Sequence, residues 1–346
     1  MPRLTKSKNH NLRSDIACGI CSQKTTQPRY DYAYDNGASQ ILQCKSCGHL
    51  FIWPIPLKEL EKRTMDSIPD AELFGSTILK TIYEKIVIRR EIKAVRKFIS
   101  TPNPHVLDIG CGTGWTTSIW QKNGFIVTGL EPSQSRSDIA RKTYGISIVH
   151  DHIEHFKPSE KFDVIIMRHL LEHIENPVFT LIAVKSFLKP NGISLIIIPN
   201  INCIGRYIFK ENWEWVLPWH LHFYTPRTLR RLLEKTGYQK LKTYQMPSPL
   251  WYPHTLNKAL FGENSRFNPN FIPPLAGQNS PKGLNQTRLQ RVGSGLIPLF
   301  CPAKEGAKSG IKFPQWLSLS LCIPLIVLGM FLNLNDNMTL LFRNKG

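Results

Sequence analysis

The chain has 346 residues, 42% of them hydrophobic and 10% aromatic, enough apolar side chain for one large packed domain or two moderate ones, which excludes a disordered or fibrous chain. Lysine and arginine outnumber aspartate and glutamate 44 to 25, a formal charge of +19. Such a field attracts phosphates, anionic headgroups or nucleic acid without choosing among them.

The first residues, MPRLTKSKNHNLRSD, are basic and polar with no apolar run. Residues 1–15 therefore read as a disordered basic leader, not a secretory signal. Eight cysteines are present. Four form two tight pairs, Cys18/Cys21 and Cys44/Cys47. The C-x2-C…C-x2-C spacing is that of a zinc ribbon, in which two knuckles supply four thiolates to a closed tetrahedral ion. His49 is an alternative ligand, and Gly19 and Gly48 suit the knuckle turns. Between the pairs, Tyr30, Tyr32 and Tyr34 alternate before the turn signal Asp35-Asn36-Gly37. Residues 16–56 are expected to form a β-hairpin with a metal knuckle at each end. Residues 57–103 carry Ile82, Ile86, Val87 and Ile92 at helical spacing and read as a helical linker or lid.

From residue 104 the pattern becomes strand, turn, helix, repeated. HVLDIG, FIVTGLE, GISIVH, FDVIIM and ISLIIIP read as strands, nearly all apolar throughout, as strands buried on both faces must be. Ser133 and Asn176-Pro177 start the intervening helices, and KPNG reads as a turn. Thr225-Pro226 caps a further helix that ends at Gly237. YQKLKTYQM is expected as a sixth strand and NMTLLFRNKG as a seventh. The fold class is therefore α/β, a doubly wound seven-stranded Rossmann-like sheet with a small N-terminal zinc ribbon. The main domain covers 104–246, an insertion 247–336, and the final strand 337–346. Within the insertion, residues 313–335 contain no charged side chain. A single membrane crossing conflicts with the return of the chain to the same sheet. A helix in the membrane interface, a buried helix and a true span are the three readings left open.

VLDIGCGTGW, Val106–Trp115, places glycines at 110, 112 and 114 directly after a strand, with Asp108 two residues ahead. The spacing departs from the G-x-G-x-x-G of dinucleotide sites, and an acid at 108 would repel a pyrophosphate. It suits a ligand with an ammonium group and a positive sulfur. Glu131 ends the next strand, where a carboxylate can accept both ribose hydroxyls. These residues resemble the class I S-adenosylmethionine-dependent methyltransferases. GLEPS, FDVIIMRHLLEHIENP, LKPNG and WHLHFYTPRTLRRLLEKTGY are similar to further blocks of the subgroup that methylates small molecules and sugars. The resemblance implies a cofactor site of Asp108, Gly110, Cys111, Gly112 and Gly114 around the methionine end. It places Glu131 and Pro132 at the ribose, Asp151, His152 and Ile153 at the adenine, and Arg168 at the boundary with the acceptor.

For an acceptor that must lose a proton, His169 and His220 are the candidate bases, with Glu172, His173 and His222 as alternatives. Related sugar C-methyltransferases carry a Glu-His pair in the last block. Here Trp219 precedes His220. The expected function is methyl transfer from S-adenosylmethionine to a small acceptor, a sugar or lipid-linked glycan precursor. The expected cofactors are S-adenosylmethionine and a structural Zn2+. The expected location is the cytoplasm, peripheral to an anionic membrane surface. Two other classes stay open: a zinc-containing RNA methyltransferase, with nucleic acid disfavoured because no N-P-P-Y-like tetrapeptide follows the fourth strand, and a membrane-associated scaffold without catalysis.

Overall fold

The computed structural model describes residues 3–8, 15–34, 37–58, 77–210, 213, 215–246, 255–256, 321, 323–324 and 335–344. The insertion, with its uncharged segment, lies almost wholly outside the described residues. Among those residues no helix is long and apolar enough to cross a membrane.

The N-terminal strands are β1 (Arg3–Lys6), β2 (Thr26–Tyr34), β3 (Gly37–Cys44) and β4 (Leu50–Trp53). β2 and β3 form the expected hairpin, with Tyr34 opposite Gly37. β1 departs from the disordered reading for Arg3–Lys6; the rest of 1–15 lies largely outside the described residues. β1 pairs antiparallel with β2, Lys6 opposite Tyr30, so a basic polar stretch becomes an edge strand. A free sheet edge offers unpaired N–H and C=O groups to any backbone, and lysine on that edge discourages further pairing. Helix α1 (Thr77–Tyr83) passes through one wide π-helical turn, Glu84–Ile88, into α2 (Arg89–Arg96).

The main sheet begins at β5 (His105–Ile109) and continues through α3 (Trp115–Lys122), β6 (Ile126–Leu130), α4 (Gln134–Tyr144), β7 (Ser147–Val149) and β8 (Phe162–Arg168). A 3-10 turn, Leu171–His173, precedes α5 (Pro177–Ser186) and β9 (Leu188–Pro199). Then come α6 (Ile204–Phe209), β10 (His222–Phe223), α7 (Pro226–Lys235), β11 (Tyr238–Met246) and β12 (Asn337–Asn344). The helix starts follow the sequence. The side chains of Ser133, Asn176 and Thr225 accept from Arg136, Phe179 and Thr228 N–H groups respectively, each removing an orphan donor from a first turn.

The strand order is β11-β12-β9-β8-β5-β6-β7. β5 through β9 are parallel to their neighbours, and β12 is inserted antiparallel between β9 and β11, Met338 opposite Ile198. LKPNG departs from the expected simple turn. It lies inside β9 as an irregularity, where the register against β8 shifts between Phe162 and Val164 and Asn191 takes φ 64°. Pleating divides the core. Leu107 and Ile109 pack on one face with Leu229, Leu232 and Leu233 of α7 and with Ile20, Leu42 and Phe51 of the cysteine module. Val106 faces the other side with Ile92, Val95, Ile119 and Trp120. Each fully buried Leu, Ile or Val stabilises the fold by roughly 1.5–3 kcal/mol, so the cysteine module and the main sheet share one core face.

Candidate active site

The loop after β5 turns with Gly110, Gly112 and Gly114 all at positive φ. At Gly114 (φ 80°) a Cβ would lie 2.8 Å from Ala140 Cβ and 3.3 Å from its Cα. Here a side chain is refused both by the backbone angle and by α4. Asp108 is 3% exposed, and its Oδ2 accepts from Thr117 Oγ1 at 2.6 Å. Glu131, also 3% exposed, accepts from Gly112 N–H at 2.9 Å and Ser133 N–H at 3.0 Å, with Arg136 Nη1 at 4.0 Å. Two buried carboxylates thus flank one bare main-chain turn at the carboxyl ends of adjacent parallel strands, where ligands of open α/β sheets bind. Thr117 escaped sequence reasoning because only the turn into α3 folds it back onto Asp108 of β5.

The remaining cofactor candidates divide. Pro132 is exposed, and its carbonyl is hydrogen-bonded to His150 Nε2 at 2.9 Å. Asp151, His152 and Ile153 form the loop after β7. Asp151 Oδ1 accepts from His152 N–H, the His152 ring is exposed, and Ile153 packs on the core. The Cys111 side chain is buried and packs against Gly129, where an added Cβ would lie 2.6 Å from Sγ. Its thiol therefore faces the sheet, leaving its main chain for the ligand side. Arg168, expected at the boundary with the acceptor, is held by an ion pair. Its guanidinium forms a bidentate pair with fully buried Glu91 and donates to Tyr83 Oη at 3.2 Å. Burial pushes the Glu91 carboxyl up, and Arg168 opposes that shift. Glu91 sits in a charged helical run, RREIKAVR, that reads from sequence as a solvated face.

The predicted bases converge beyond β8. His169 takes φ 50°, its N–H donates to Ile197 O at 2.8 Å, and its ring stacks on Trp215 with centroids 4.9 Å apart. Leu170 then covers the glycine turn, its Cδ1 3.2 Å from where a Gly110 Cβ would stand. Glu172 is 1% exposed, with its Oε1 3.5 Å from His169 Nδ1 and 3.9 Å from His173 Nε2. Both of its carboxylate oxygens lack a hydrogen-bond partner among the described residues. The Nδ1 atoms of His173 and His220 each lie 2.8 Å from a backbone oxygen, of Trp219 and Trp215 respectively. A carbonyl accepts only from N–H, so each ring carries its proton on Nδ1 and turns Nε2 inward. Ligand atoms of Glu172, His173 and His220 lie within 4.8 Å of one another, close enough for a shared proton or a cation. His169 has 24% side-chain exposure whereas His220 is 3% exposed, so of the two only His169 is open to solvent. His222 belongs elsewhere. It is buried with its Nδ1 3.0 Å from His49 Nε2, and burial lowers its pKa to about 4.

The four module cysteines also converge. Sγ atoms of Cys18 and Cys47 are 3.6 Å apart, those of Cys21 and Cys44 3.5 Å, and all four lie within 4.8 Å of one another. A tetrahedral ion with sulfur bonds of ~2.3 Å needs sulfurs about 3.8 Å apart. A proton shared with Cys47 drives Cys18 down to about 5, and the same bond drives Cys47 up. A divalent cation replaces such a proton naturally. His49, the less favoured alternative to Cys47, is engaged by His222 instead. The first knuckle turns at Ser22 (φ 62°), not at Gly19; Gly48 (φ 79°) is its counterpart in the second.

A family model described as "Methyltransferase domain" matches residues 83–243. The ubiquinone biosynthesis O-methyltransferase of Dinoroseobacter shibae is 30% identical over 168 residues, covering 43% of this chain and 68% of that protein. A protein of the same name from Coxiella burnetii is 33% identical over 107 residues, 29% of this chain and 46% of that one. Among solved structures, an S-adenosylmethionine-dependent methyltransferase of Thermotoga maritima matches with TM-score 0.39 and 22% identity, covering 51% of this chain and 84% of that one. By sequence match and by its own sheet order, the chain belongs to the class I S-adenosylmethionine-dependent methyltransferases.

Proposed function

We propose that the chain methylates an oxygen of a small hydroxylated acceptor, a sugar or lipid-linked glycan precursor, at the carboxyl ends of β8 and β9. The observation that carries this reading is the pairing of His169 with buried Glu172 on the stretch that covers the glycine turn. The names of the relatives, O-methyltransferases of ubiquinone biosynthesis, support transfer to oxygen on a small molecule. Bound S-adenosylmethionine supplies an electrophilic methyl carbon on a sulfonium. Asp108 and Glu131 hold its ammonium and ribose ends. Trp215 fixes the imidazole plane of His169 by stacking. His169 would take the proton of the acceptor hydroxyl, so that its oxygen could receive the methyl group the cofactor would supply. Glu172 steadies the resulting imidazolium, and His220, fixed by Trp215 O, backs it. A Zn2+ held by Cys18, Cys21, Cys44 and Cys47 closes the N-terminal module.

The charge of +19 and the uncharged run 313–335 support an acceptor met at an anionic membrane surface. Flotation with anionic liposomes, with and without residues 313–335, tests this. The chemical reading is tested by methyl transfer from S-adenosylmethionine to a panel of hydroxylated acceptors. His169→Asn is expected to lower kcat by roughly 10²–10⁴-fold while S-adenosylhomocysteine affinity is retained. A native rate in that variant removes His169 from the mechanism, and no binding of S-adenosylhomocysteine removes the reading altogether.

A further inference from the structure

We infer that the zinc module is one wall of the acceptor site, so that metal occupancy sets the position of the loop 215–224, which carries His220, without governing the cofactor loop. The inference rests on the proposed acceptor side of the site. β10 is an element of the main chain, between α6 and α7, yet it is the fifth strand of the N-terminal sheet, with His222 opposite Phe51 and Phe223 opposite Leu50. Two backbone bonds then run in series. Ile52 N–H donates to Leu221 O at 2.9 Å, and Leu221 N–H donates to Glu172 O at 2.7 Å. One strand of the module, the residue after His220, and the main chain of Glu172, whose carboxylate stands at the centre of the histidine cluster, are thus joined through backbone bonds alone.

Both knuckles grip this strap. In the second, Gly48 N–H donates to Cys44 O at 2.8 Å and Cys44 N–H to His49 O at 2.9 Å, so the ring of His49 is aimed by the turn that aims Cys44 and Cys47. That ring meets His222 at 3.0 Å. In the first, Gly19 lies against the same His222, whose Cε1 is 3.5 Å from where a Gly19 Cβ would stand. Lys235 of α7 donates to Ile20 O at 2.7 Å. A module of this size takes much of its folding energy from its ion, and when the knuckles loosen, His49 and β4 no longer hold β10. The cofactor carboxylates are anchored by other elements, Asp108 by Thr117 of α3 and Glu131 by Gly112 and Ser133. His49 and His222 are therefore positioning residues for His220 and Glu172.

The test uses the full chain, zinc-loaded and then chelated, with metal content measured in both. Hydrogen exchange is compared for peptides spanning 215–224 and 105–118, and S-adenosylhomocysteine affinity is measured by calorimetry. On zinc loss, amides of 215–224 are expected to exchange ~100-fold faster, while 105–118 keeps its protection and the affinity stays within about twofold. Cd2+, a soft ion that also takes four thiolates, is expected to restore the protection. His222→Leu, which retains every thiol, is expected to loosen 215–224 about tenfold at unchanged zinc content. Unchanged exchange of 215–224 after confirmed zinc loss overturns the inference. So does a parallel loss of protection at 105–118, which would mean general unfolding. A zinc-loaded chain that binds no S-adenosylhomocysteine would refute the cofactor reading instead, and the exchange comparison would still decide this one.

Discussion

Glu131→Gln is the sharpest probe of the cofactor pocket. The native carboxylate uses one oxygen for Gly112 N–H at 2.9 Å and the other for Ser133 N–H at 3.0 Å, and the residue is 3% exposed. Glutamine keeps the shape and one acceptor, then turns an NH2 group toward the second N–H. Water has no access to repair that meeting of two donors. A hydrogen bond to an ionised partner contributes about 1.5–3 kcal/mol, and an orphaned buried donor carries its own penalty. The loop should therefore lose about 2–3 kcal/mol, read as a lower urea midpoint at unchanged m. On the proposed assignment of the ribose hydroxyls to the same side chain, S-adenosylhomocysteine affinity should fall roughly 10- to 100-fold by calorimetry, at a factor of ten per ~1.4 kcal/mol. The two readouts separate the side chain's duty to the loop from its duty to the nucleoside. Native affinity together with a native urea midpoint would refute the reasoning.

Gly114→Ala adds a Cβ at positive φ, costing ~1–2 kcal/mol, and presses it on the Ala140 backbone. A total loss of about 3 kcal/mol and weakened S-adenosylhomocysteine binding should appear in thermal shift and calorimetry. Glu91→Gln leaves the Arg168 charge buried without its partner and should destabilise by about 3–5 kcal/mol. Replacing both residues with methionine should recover most of that, as a double-mutant cycle in urea would show. His222 titrates at about 4 in the fold against 6.5 ordinarily, because burial disfavours its charged form. The unfolded chain binds this proton first, so the stability is present above about pH 6.5 and is lost as pH falls toward 4. Between pH 7.5 and 5.5 the His222 share of the loss should be about 1.3 kcal/mol, and His222→Leu should remove that share in denaturant titrations while the share of buried His49, also held well below its ordinary value by burial, remains.

The sequence by itself determined what is local or periodic. Strands buried on both faces show as apolar runs, the caps at Ser133, Asn176 and Thr225 show as side chains beside their own helix starts, and the glycine turn and paired cysteines show as spacing. It also carried the return of β12 to the main sheet, because NMTLLFRN has strand composition and the partner edge needed covering. Tertiary structure alone decided which polar groups meet. Glu91 and Arg168 lie 77 positions apart, Glu172 and the Leu221 amide 49 apart, and His49 and His222 173 apart. Their spacing carries no period. Burial then set positions that residue type could not, sending Arg168 into an ion pair, the Cys111 thiol toward the sheet and His222 into the module interface, while leaving His169 partly exposed. Periodicity reports which face of an element avoids water. Which polar groups then share that dry space depends on how the faces are brought together.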